Sequence, residues 1–349
     1  MNAKHLLAAL TAAALLAPSA RAGDLETSLQ ALAGAKGDEY TAARDALVAK
    51  GDGIRSSLEA KLQNARWTES TFPELAAATV VLARIAQPDL TAKISHIEGV
   101  DKASYSKRRR PEPECARELK RLGPDAAGLL LELAWKTGDK YPSTTDAERS
   151  ALRQGVVYAL AETKHPAALL VMKKVANDAS ELEAVRLLAA EGLGTQGSAA
   201  ALAELVALHD AESTPANVKL AAIRGAARVP TADALAFLEK RLAVADERRQ
   251  AVVALGGFGS RLGWESRGAD AARQGDELRA KATSDLIALV RSSEPGVDDE
   301  ALCQALATIA HESARTELSK AKDDASLSAS SRALAAKALE RVNMALDRK

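Results

Sequence analysis

The amino-acid sequence predicts an all-α fold, an α-solenoid of about seven to eight stacked helix pairs. Three observations carry that expectation. Apolar residues make up 47% of the 349-residue chain but aromatics only 3%, and Ala and Leu, both strong helix formers, supply most of the apolar set. A motif recurs at intervals of 33, 33 and 29 residues through the middle of the chain. Within each copy the apolar positions step by three and four, which lines one face of a helix.

The first 22 residues read as a secretory signal peptide. Lys4 supplies the basic start, Leu6 to Ala17 an apolar run, Pro18 the break, and Ala20-Arg21-Ala22 the small residues a signal peptidase reads. The run of twelve residues is shorter than the ~20 a membrane-spanning helix needs. Cleavage after Ala22 removes Lys4 and Arg21 from the 47 Lys and Arg, leaving 45 against 47 Asp and Glu, net −2. That balance lacks the basic footprint of a general nucleic-acid binder. The Ala/Arg-rich composition suggests a bacterial source, so the expected location is periplasmic or secreted, with no integral membrane segment after cleavage. The mature part, 23–349, reads as a single repeat array.

The repeat is clearest in four stretches. They are LRQGVVYALAETKHPAAL from Leu152, VRLLAAEGLGTQGSAAAL from Val185, VKLAAIRGAARVPTADAL from Val218 and ERRQAVVALGGFG from Glu247. A basic residue opens each (Arg153, Arg186, Lys219, Arg248), and Leu160, Leu193, Ala226 and Leu255 follow seven positions later. Pro166, Gly194, Gly197 and Pro230 mark where one helix stops and the next begins. Weaker copies lie upstream at Tyr40–Lys50, Ile54–Asn64, Pro73–Ala86 and Glu114–Leu122. Downstream, Glu300–Ile309 repeats the pattern with Leu306 in the place of Leu255. That interval is 51 residues, 18 more than 33, and the excess maps to an insertion loop at about 257–275. The stretch 328–346 reads as a C-terminal capping helix.

The segments VRLLAAEGLGTQGSAAALAELVAL and RRQAVVALGGFG resemble HEAT-like repeats of the phycobilisome-lyase type, most closely over 147–260. The resemblance implies the architecture. It implies a protein-binding scaffold more than an enzyme, with a lyase-like or chromophore-attachment role as the alternative that some members of that type fill. HEAT-like di-iron hydroxylases are also similar, but they assemble several His-Glu pairs, and this chain has one, His311-Glu312.

The remaining constellations point to structure more than to chemistry. Gly192-Leu193-Gly194-Thr195-Gln196-Gly197 matches GxGxxG, but a dinucleotide loop follows a strand, and here a helix precedes it. The basic ladder Arg153, Arg186, Lys219 and Arg248 is expected to pair with neighbouring repeats. His96, His165 and His209 show no metal-ligand spacing. Cys303 falls three before Leu306, a buried register, so its thiol should be inert. Cys115 lies 188 residues away, too far along a solenoid for a disulfide. No catalytic, metal or cofactor site assembles from these motifs, so a non-enzymatic scaffold with a protein partner is expected.

Two segments depart from the repeat and supply the candidate partner-binding residues. Arg108, Arg109 and Arg110 belong to a basic run suited to an acidic partner or lipid headgroups. Phe258 and Trp264 flank the Gly-rich insertion, where Trp264 is expected to anchor a partner from a mobile loop.

Overall fold

A computed structural model of the chain describes residues 22–94, 119, 121–140, 146–292 and 298–348. Every regular element among them is helical, and no strand occurs. Packing gathers the chain into two compact units, Met1–Gly192 and Leu193–Lys349, where the repeat pattern alone reads one continuous array. Residues 1–21 of the proposed signal peptide, Cys115 and Arg108–Arg110 lie outside the described residues.

The first unit holds α1 (Ala22–Gly34), α2 (Gly37–Val48), α3 (Asp52–Gln63), α4 (Phe72–Ala86), α5 (Ala127–Lys140), α6 (Asp146–Glu162) and α7 (Pro166–Asn177). Most of α8 (Glu183–Thr195) also belongs to it. Gly51 turns the chain between α2 and α3 with φ +53°, a conformation that costs glycine little. Helix α4 starts with Pro73 in its first turn, where the missing N–H costs nothing, and buries every residue from Leu75 to Val81. It packs against α1, α2, α3 and α5, the central position of this unit. Leu29, Leu32 and Leu58 of the neighbouring helices are fully buried.

The second unit continues with α9 (Ala199–Asp210), α10 (Ala216–Ala226), α11 (Ala232–Leu242) and α12 (Ala245–Gly259). Helices α13 (Arg261–Glu265), α14 (Ala269–Ser292), α15 (Asp299–Ile309), α16 (Glu312–Asp323) and α17 (Ala329–Leu346) complete it. Most neighbours in sequence pack against each other, and helices two or three apart also stack. Thus α10 lies on α12, α12 on α15, and α15 on α17, while α14 lies on α11 and α16. This double neighbour pattern is that of an α-solenoid, in which each pair covers the apolar face of the next.

The residues the repeat aligns behave alike. Leu160, Leu193, Ala226, Leu255 and Leu306 are all fully buried. Side-chain caps set the helix starts. Ser198 accepts from the Ala201 N–H at 3.1 Å, Thr231 from Ala234 at 3.2 Å and Asp298 from Ala301 at 3.0 Å. Two histidines do the same work through Nδ1. His165 accepts from Ala167 N–H and His311 from Ser313 N–H, both at 3.2 Å.

The expected insertion loop at 257–275 is corrected by the structure. Its first residues finish α12, its middle forms the five-residue helix α13, and its end is the first part of the 24-residue α14. The extra length lengthens a helix and adds a corner. Ser260 caps α13, and Gly268, with φ +98°, makes the turn into α14.

Candidate functional site

The corner of α12, α13 and α14 carries two of the sequence-predicted binding residues. Phe258 sits on the last turn of α12 and is 1% exposed. Trp264 sits on α13 and is 3% exposed, so neither ring faces a partner and the anchor expectation is corrected. Their rings meet edge to face, with centroids 5.8 Å apart at 84°. The Trp264 indole N–H donates to the Phe258 carbonyl near the end of α12, one of the four a helix leaves unpaired. Gly275 on α14 makes room for the indole, since a Cβ there would stand 2.1 Å from Trp264 Cε3. The glycines of this stretch suggest mobility on paper, but Gly275 is a socket for the indole.

Arg279, which no motif marks, closes the same corner. It is 8% exposed and spans two helix ends. Its Nε donates to Gly259 O at 3.0 Å and its Nη2 to Ile309 O at 3.1 Å, the last residues of α12 and α15. Asp276 balances the charge at 3.1 Å, and His311 Nε2 approaches the same carboxylate at 3.5 Å. His311 is thereby occupied in capping α16 and facing Asp276, and Glu312 carries on into the helix as a first-turn acid. Among the described residues no group of three His, Cys, Asp or Glu is placed to hold a metal ion.

Three members of the basic ladder, Arg153, Arg186 and Arg248, also bond to a neighbouring element. Arg186 Nε donates to Ala176 O at 3.0 Å, and Arg248 Nε to Leu242 O at 2.7 Å. Each acceptor lies in the last turn of the preceding helix, where carbonyls lack intrahelical partners and a cation meets the negative end of the dipole. Arg153 pairs with Glu181 just beyond α7. Gly192 and Gly194 of the GxGxxG stretch serve close packing, and Gly197 turns the chain with φ +67°. A Cβ on Gly194 would lie 2.0 Å from Gly225 O on α10, so the helices cross there backbone to backbone.

The first unit contains the most concentrated buried charge. Glu132 on α5 is 2% exposed. Arg44 of α2 donates to its Oε1 at 2.6 Å, Arg84 of α4 to its Oε2 at 2.8 Å, and the Tyr40 hydroxyl to Oε1 at 3.3 Å. Burial, reinforced by the Glu132 charge, pushes the Tyr40 phenol above its ordinary range. Trp135 stacks edge to face on Tyr40 and on Phe72. Three donors on one carboxylate join three helices, and no sequence spacing announces it, because its members lie 88 and 48 positions from Glu132.

In the second unit His209 is 4% exposed and lies between Asp210, 2.9 Å from Nδ1, and Glu247, 3.0 Å from Nε2. Cys303 is fully buried, and burial raises its thiol pKa, which keeps it protonated. A cleft of about 320 Å³ opens along α16 and α17, lined by Arg315, Ser319, Leu339, Asn343 and Asp347. Its cation is already tied to Asn343 at 3.0 Å and Asp347 at 2.8 Å.

These features define a class, an α-helical repeat protein whose buried charges tie helix to helix. No protein-family model and no curated protein matches the chain. Among solved structures, human deoxyhypusine hydroxylase in complex with glycerol aligns at 18% identity and a TM-score of 0.27, over 67% of this chain and 89% of that one. Importin β aligns at 10% identity and a TM-score of 0.38, over 96% of this chain, which spans 44% of the importin β chain. Both are HEAT-repeat folds.

Proposed function

We propose that the protein is an exported, non-enzymatic scaffold that binds another protein through the surface of its helix stack. The observation that carries this reading is how the buried polar groups are used. Glu132, Arg186, Arg248 and Arg279 each place hydrogen bonds on helix ends or on residues of other helices. Stacks of this kind present long rows of outward side chains, the usual surface for protein recognition in solenoids. The signal-like first 22 residues support export to the periplasm or beyond. Among the described residues no helix is long and apolar enough to cross a membrane. The likeness of 147–260 to repeats of the phycobilisome-lyase type supports the same architecture.

The test is quantitative capture from the envelope of the source cell after mild cross-linking. The reading predicts a protein recovered in fixed ratio to this chain and displaced by excess untagged chain. Recovery that does not compete, or residence of the chain in the cytoplasm with its first 22 residues intact, would sink it.

A further inference from the structure

We propose that the first unit carries an acid-sensitive helix cap: His165 holds the start of α7, and the Trp67 turn packed on it, only while its ring is neutral. The repeat puts five caps in one register. The residue five positions after each of the core residues Leu160, Leu193, Ala226, Leu255 and Leu306 is His165, Ser198, Thr231, Ser260 and His311. In all five the side chain accepts an N–H from the first turn of the helix that follows. A hydroxyl does this at any ordinary pH. An imidazole does it only while the accepting nitrogen carries no proton.

Local geometry makes α7 depend on that nitrogen. Pro166 occupies the first helical position and has no N–H, so Ala167 supplies the first amide donor of the helix. His165 Nδ1 accepts it at 3.2 Å. Ala167 is fully buried, so water does not replace a lost partner. Protonation turns Nδ1 into a donor and sets a positive charge at the positive end of the helix dipole. Both effects act against the helix start. The Trp67 indole meets the same ring edge to face, with centroids 5.3 Å apart at 81°. Glu69 of that turn pairs with Lys173 of α7 at 3.0 Å. The cap thus ties α7 to the connection between α3 and α4.

The charged side chains nearest in the chain are Glu162 and Lys164 before His165, and Arg66 and Glu69 beside Trp67. None of these, and none on α4, α5 or α6 among the described residues, pairs with the ring. Burial is what moves the His165 pKa, and it moves it below the ordinary 6.5. A histidine whose folded pKa is lowered adds stability that is full above the ordinary value and lost as pH falls through the folded one. His311 differs in its surroundings, since its Nε2 faces Asp276 at 3.5 Å, and the acid-sensitive cap is assigned to His165 alone.

The experiment compares the full chain with its His165→Ser variant by thermal unfolding at about pH 7.5 and about pH 5, and follows the wild-type ring and amides by NMR. Serine is what the repeat itself uses at Ser198 and Ser260, so the variant keeps a cap that does not titrate. On going to the lower pH, the wild-type melting temperature should fall by about 2–4 °C more than that of His165→Ser. The His165 ring should titrate below about 6.5 in the folded chain, and the Ala167 amide resonance should move with the same midpoint. A difference between the two proteins that is the same at both pH values would overturn the switch. So would a ring that titrates at or above its ordinary pKa, or an Ala167 amide that ignores the titration. These last two are read on the wild-type chain, so they decide the matter even if the variant does not fold.

Discussion

At the scale of single residues, the fold depends on buried ions whose partners come from distant helices. Removing Glu132 leaves Arg44 and Arg84 facing each other inside the first unit. Glu132→Ala should therefore cost about 3–5 kcal/mol in denaturant unfolding, the penalty for orphaning buried charge. A cost below that of an exposed change such as Lys174→Ala would contradict the network. Asp285 on α14 gives a pH test. Burial, with a hydrogen bond to Glu239, raises its carboxyl from 3.8 to about 6. Folding therefore binds a proton there, and its stabilisation is full below the ordinary carboxylate pKa and lost as pH rises through 6. Asp285→Asn should flatten the melting temperature against pH between about 4 and 6. An unchanged slope would refute the assignment. These residues were not legible in the sequence. An apolar stripe repeats locally and can be counted, but Glu132 and Arg279 look like any surface charge until the fold brings their partners.

At the scale of helices, the sequence was far more informative. The three- and four-residue spacing located the repeat helices, and the aligned Leu160, Leu193 and Leu255 proved to be core. Turn residues marked ends because Pro and Gly act locally. The insertion misled for a physical reason. Gly257, Gly259, Gly263 and Gly268 look alike in a string, yet they answer different demands. Gly268 supplies a positive φ, Gly259 admits the Ile309 side chain, and Gly257 faces open space. Gly275 shows the contrast at its sharpest. Gly275→Ala drives a methyl into Trp264 and should cost about 1–3 kcal/mol or more by overpacking, with a shift in indole fluorescence. Gly257→Ala meets nothing within 4 Å and should stabilise α12 by up to about 1 kcal/mol. Equal melting temperatures for the two variants would show that Trp264 does not occupy the Gly275 socket.

At the scale of the molecule, residues 257–275 are part of the helix stack, and the proposed recognition would use outward side chains of that stack. Solenoids tolerate long insertions when each repeat touches only its neighbours. This one is different because Trp264, Gly275 and, just beyond, Arg279 fill the corner between α12, α14 and α15. The basic run at Arg108–Arg110 keeps its standing as a candidate contact from sequence alone. The most direct measurement replaces Gly259–Gly275 by a short linker and follows unfolding by circular dichroism. The account predicts a lower melting temperature and loss of helical signal from the second unit. Unchanged helicity and melting, with only partner capture lost, would contradict it and restore the insertion as a dispensable binding loop.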